Sequence, residues 1–80
     1  MTTKTLRDEA VTQLILSRLN SDLRTGGQTI DVYVANGDIF LIGTCDSEEQ
    51  RATAEMIARG TCGAHMVVDN IRVRRLRQLI

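Results

Sequence analysis

Apolar residues recur with two different periods along this chain, and the switches between them mark its elements. From about Leu6 to Asn20, Val11, Leu14, Ile15 and Leu19 return at helical spacing, and Asp8 and Glu9 sit in the first turn, where they favour the positive end of the helix dipole. The run from Asn20 to Gln28 mixes Ser, Asn and Asp with a Gly26-Gly27 pair, a composition that ends a helix and makes a loop. TIDVYVA then alternates, with Ile30, Val32 and Val34 on one side. Asn36-Gly37 follows, a pair suited to a two-residue hairpin turn in which both central positions need φ > 0.

A two-residue turn sets the pairing of the strands it joins. Ala35 then faces Asp38, Val34 faces Ile39, Tyr33 faces Phe40 and Val32 faces Leu41. In this register Ile30, Val32, Val34, Ile39 and Leu41 share the core side, and Tyr33 and Phe40 lie together on the other side with Ile42 nearby. The second strand is therefore apolar on both faces, which raises the question of what covers the second one.

Ser47-Glu48-Glu49-Gln50 is a capping box, and it predicts a second helix in which Ala54, Ile57, Ala58 and Thr61 face the sheet. Gly60 and Gly63 are its expected end. MVVDNIRV reads as a last strand, with Val67, Ile71 and Val73 inward and Val68, Arg72 and Arg74 outward. The expected fold is a small α/β two-layer sandwich in the order helix, strand, strand, helix, strand, with two helices on one face of a three-stranded mixed sheet.

Eighty residues make one domain, with a core of about residues 6–73 and a basic, apolar extension over 74–80. Ten Lys and Arg balance ten Asp and Glu, so bulk charge points to no polyanionic or polycationic partner. Locally the balance fails: no acid follows Asp69, while Arg72, Arg74, Arg75 and Arg77 crowd the end. There is neither an apolar run typical of a secretory signal at the start nor a stretch near ~20 apolar residues anywhere. The expectation is a soluble, cytoplasmic chain, with an exported parent of a trimmed chain as the open alternative.

The segment NGDIFLIGTCDSEEQRATAEMIARGTCGAHMVVDNIRV resembles the BON domain, through Asn36-Gly37, Gly43, Ser47, Ala54, Ala58, Gly63, Val67 and Ile71. The upstream helix, with Val11, Ile15 and Leu19, fits as well, so the resemblance spans about residues 6–73. Cys45 stands where the family usually has Val, Thr61 where an apolar residue is common, and Cys62 where Pro is frequent. The resemblance implies a non-catalytic domain associated with phospholipid or envelope binding, often exported and often present in two copies.

The candidate working surface is the uncovered sheet face, with Tyr33, Phe40, Ile42 and Val68 as anchors and Arg72 and Arg74 as a charged rim. Leu76, Leu79 and Ile80 would extend this surface or fold back to cover it. The function expected is a binding or assembly module that self-associates or takes a partner protein through that face. The alternative is attraction of the Arg-rich end to anionic phospholipid. Single-stranded nucleic acid, stacked on Tyr33 and Phe40, is disfavoured by zero net charge and the lack of further aromatics. Cys62 and His65, with Cys45 and Asp46, lack the paired spacing of a structural zinc site, and the two cysteines read as reduced thiols. No carboxylate pair, phosphate loop or Ser-His-Asp set appears, so no enzyme, cofactor or metal is expected.

Overall fold

The computed structural model describes residues 6–61 and 66–74. The elements run α1 (Leu6–Ser21), β1 (Thr29–Ala35), β2 (Asp38–Cys45), α2 (Glu48–Arg59) and β3 (Met66–Val73), the order that the periodicity predicts. The sheet order is β1-β2-β3. β1 is antiparallel to β2 and β3 is parallel to it. A parallel neighbour needs a crossover, which α2 supplies.

The hairpin adopts the expected register, from Ala35 opposite Asp38 to Thr29 opposite Thr44. Asn36 and Gly37 take φ of 55° and 84°, as a twist-matched two-residue turn requires. α1 holds this turn from outside the sheet: the buried Asp8 accepts a hydrogen bond from the Asn36 amide through Oδ2 at 3.2 Å.

The core lies between the sheet's inner face and the two helices. Val32, Val34, Ile39, Leu41 and Ile71 from the sheet meet Ile15 and Leu19 of α1 and Ala54 and Ala58 of α2. Ile39 and Leu41 on β2 have no exposed surface. Burial of one such side chain is worth about 1.5–3 kcal/mol, so the central strand anchors the sandwich. Leu14 differs from its expected role. It sits about 120° round α1 from the line through Ile15 and Leu19 and is 38% exposed, while Thr12 and Leu16 take the flanks of that line.

α2 opens on the capping box. Gln50 N donates to Ser47 Oγ at 3.2 Å, and Gln50 Oε1 accepts from the amides of Ser47 and Asp46 at 3.1 and 2.7 Å. The helix ends at Gly60 with φ −78°, so this end uses right-handed backbone and not a left-handed glycine cap. Thr61 therefore lies past the last turn, but it stays buried and donates its hydroxyl to Ile57 O at 3.0 Å. The second expected helix stop, Gly63, lies outside the described residues.

Two features of the sheet escape the hydrophobic pattern. Gly43 has φ +139°, and a Cβ there would overlap the carbonyl oxygen of Thr29 on β1. Asp69 is a charged residue on the inward side of β3, in register with Leu41. Burial is the main cause that raises its pKa, while its hydrogen bond from the Ile71 amide lowers it and the bond it shares with Glu55 raises it again. Glu55 moves the opposite way, held low chiefly by Arg59, which pairs with it at 2.6 Å.

Replacing Gly43 by Ala should cost more than about 2 kcal/mol, since a strained φ and a steric overlap add. Gly27→Ala, where a Cβ meets nothing within 4 Å, should be close to neutral. Urea denaturation of the two variants measures the difference directly.

A carboxyl group with a raised folded pKa favours the fold while protonated, and that contribution is lost as pH rises through the folded value. Asp69→Asn should therefore raise stability slightly at pH 7, by about a few tenths of a kcal/mol because partial solvent contact screens the charge. The gap should close below about pH 4, where Asp69 is protonated folded or unfolded. Thermal melts across that pH range check this, and a loss of stability at pH 7 would assign Asp69 a net favourable pairing with Arg51, whose Nη1 lies 4.0 Å away.

Candidate binding surface

The register arranges the outer face in four rows across β1, β2 and β3. These are Ala35-Asp38-Met66, Tyr33-Phe40-Val68, Asp31-Ile42-Asn70 and Thr29-Thr44-Arg72. The second row is apolar across all three strands. Ile42 continues it along the central strand, and Met66 and Ala35 extend it towards the hairpin turn. Both helices pack on the inner face, so among the described residues no element covers this one.

Tyr33 and Ile42 are exposed by 42% and 49%, and Met66 by 53%. Phe40, between Tyr33 and Val68 in its row, is half-buried, and so is Val68. The Tyr33 and Phe40 rings lie 6.0 Å apart between centroids at an interplanar angle of 49°, a tilted contact worth about 0.5–1.5 kcal/mol beyond burial. The two rings thus form one continuous aromatic surface.

The face thus gathers the four expected anchors, Tyr33, Phe40, Ile42 and Val68, and puts exposed Arg72 at its far row. Arg74 follows the end of β3, its amide donating to Cys45 O at 2.7 Å and its guanidinium paired with Asp46 at 3.2 Å. Leu76, Leu79 and Ile80 lie outside the described residues. The hydrophobic pattern did not single out Met66, Asp31 and Asn70 on this face. Asp31 takes its place by alternation with Tyr33 along β1, while the rows that Met66 and Asn70 join follow from the parallel pairing of β3, of whose register the sequence carries no sign.

Cys45 is a buried free thiol whose Sγ donates to Ser47 O at 3.3 Å. It fills core space at the end of β2 next to the helix cap, an apolar setting in which a thiol is inert. Cys62 and His65 lie outside the described residues, and with them any pairing of the two cysteines. Among the described residues no group of three or more His, Cys, Asp or Glu could hold a metal ion, and no helix is long and apolar enough to cross a membrane.

Two helices cover one side of a small mixed sheet, and the other side carries the apolar row with no described element over it. The family model of the BON domain matches residues 7–75, and the chain belongs to that family. BON domains are non-catalytic binding-type domains and are associated with phospholipid binding. A search of curated proteins returned no match to this chain.

Proposed function

We propose that this BON domain is a non-catalytic assembly module whose working surface is the outer sheet face, with a second copy of the chain as its partner. The observation that carries this reading is the apolar row Tyr33-Phe40-Val68 with Ile42 beside it, open on a sheet whose other face packs against both helices. A soluble domain rarely leaves an apolar patch at the centre of a flat surface unless a partner covers it. Rigid aromatic anchors inside a polar rim are the usual anatomy of such contacts, and one patch can complement itself about a two-fold axis. Arg72, Asp31 and Thr29 supply that rim. The two carboxylates of the face, Asp31 and Asp38, disfavour a nucleic-acid backbone on the same surface.

Changing Tyr33 and Phe40 together to Ser should abolish association in sedimentation velocity while leaving the far-ultraviolet circular dichroism unchanged. Association that survives the double change would remove the outer face from the assembly.

A second reading follows the family's association with phospholipid. Leu23, fully exposed in the loop between α1 and β1, stands at the same end of the sheet as Arg72 and Arg74. Arg24 beside it is paired with Asp22, and Arg74 with Asp46, which spends much of the positive charge locally. Each basic residue near an anionic surface is worth about 1 kcal/mol, so this end makes a weak anchor by itself. On this reading the chain floats with anionic liposomes at low salt, Leu23→Ser weakens the attachment and high salt abolishes it. Failure to float at low salt rules it out.

A further inference from the structure

Asp69 stands on the inward side of the edge strand β3, and its side chain is 14% exposed. Glu55 on α2 faces it, and a hydrogen bond joins the two carboxyl groups. An ionised carboxylate only accepts, so two carboxyls bond to each other only while one of them keeps a proton. This contact between α2 and β3 therefore exists in one protonation state.

The partners of each group decide which one holds the proton. Glu55 Oε2 accepts from Arg59 Nη2 at 2.6 Å and from Arg59 Nε at 2.9 Å, a charge-assisted contact that favours the ionised form. Asp69 Oδ1 accepts from the Ile71 amide at 3.0 Å, while Arg51 Nη1 stands 4.0 Å from Oδ2, beyond hydrogen-bond reach. Arg51 is itself bound to Glu48, through Nη2 at 2.8 Å and Nε at 3.0 Å. The guanidiniums of α2 thus serve Glu48 and Glu55 first, and Asp69, the more buried of the pair, is left to carry the proton. Among the described residues no charged group of α1, β1 or β2 acts on it; Leu41 is its neighbour on β2, and the Cys45 thiol bears on Arg51.

We infer that Asp69 and Glu55 hold one proton between them and act as an acid-set latch that ties α2 to β3 and loosens when the proton leaves. Without the proton, two carboxylates face each other at the edge of the core, where solvent screens them poorly. The latch bears on the working surface because β3 brings Val68 and Arg72 to the outer face. It does not depend on what that face binds, so it stands or falls apart from the self-association reading.

Burial foremost holds Asp69 above the ordinary carboxylate range, and the bond with Glu55 acts in the same direction. Its contribution to stability is present in acid and is lost as pH rises through its folded value. Arg59 foremost holds Glu55 below the ordinary range, with the Asp69 bond adding to it, so that contribution is lost as pH falls through the folded value of Glu55. The latch is closed between those two values.

The test is a carboxyl-carbon NMR titration of the intact chain from about pH 2 to about pH 8, a range that spans ordinary and raised carboxylate values. In the parent, Asp69 should titrate above the ordinary range and Glu55 below it. Glu55→Gln should move the Asp69 step down, because the acceptor of its proton is gone. Asp69→Asn, whose amide still donates to Glu55, should leave the Glu55 step low, whereas Asp69→Ala should let it rise. Amide spectra recorded alongside report whether each variant is folded. Hydrogen exchange in the parent gives a second readout at the amides of Val68, Asn70 and Arg72, which the Arg74 bond to Cys45 O places towards β2. Corrected for the intrinsic effect of pH, their protection should fall about twofold relative to β1 as pH rises through the Asp69 step, and Asp69→Asn should remove that fall.

An Asp69 step that stays in place in Glu55→Gln assigns its position to burial alone and overturns the shared proton. A parent in which Asp69 titrates within or below the ordinary range overturns it as well. Protection of β3 that stays flat through the Asp69 step overturns the latch.

Discussion

A turn of two residues with positive φ controls which side of every β1 and β2 residue faces water. Asn36 at 55° and Gly37 at 84° accept the backbone that the hairpin needs, and Asp8 of α1 holds the Asn36 amide from across the fold. Side chains alternate with a period of two, so a slip of one residue would carry Ile39 and Leu41 out of the core and Phe40 and Ile42 into it. The core and the open face are thus two consequences of one register, and neither can change without the other.

β2 joins both halves of the molecule because it lies between the other strands and is apolar on each side. Its inner side closes the core against α1 and α2. Its outer side supplies the centre of the exposed row, with Tyr33 and Val68 as flanks. Gly43 marks where β1 comes closest to this strand, at a backbone geometry that leaves no room for a side chain. The tight hairpin and the open surface therefore belong to the same strand pair.

Polar groups do the negative work. Asp31 and Asp69 turn back onto outward amides of their own edge strands, and Ser47 with Gln50 satisfies the first turn of α2. Asp69 combines two roles that conflict. It takes the outward amide of Ile71 and faces the inner layer, where burial raises its pKa and a hydrogen bond with Glu55 raises it further. Arg51 of α2 moderates that cost, with its Nη1 4.0 Å from Asp69 Oδ2.

Much of this was legible in the chain alone. The element order, the hairpin register, the capping box and the outer side of Tyr33, Phe40, Ile42 and Val68 follow from local rules: the positive-φ preference of Asn and Gly, strand alternation and the reach of a Ser or Gln side chain. Leu14 could not be sorted by spacing alone, because several apolar faces of α1 fit the same pattern until Ile15 and Leu19 meet the sheet. The parallel placement of β3 beside β2 depended on a crossover through α2, a contact between residues far apart in sequence. With it came the rows that Met66, Asn70 and Arg72 join on the outer face and the place of Asp69 opposite Leu41. Local chemistry dictated which residues form strands and helices and which side of each is apolar. Only tertiary packing decided which strands are neighbours, because that choice is made by the joint burial of surfaces no single segment contains.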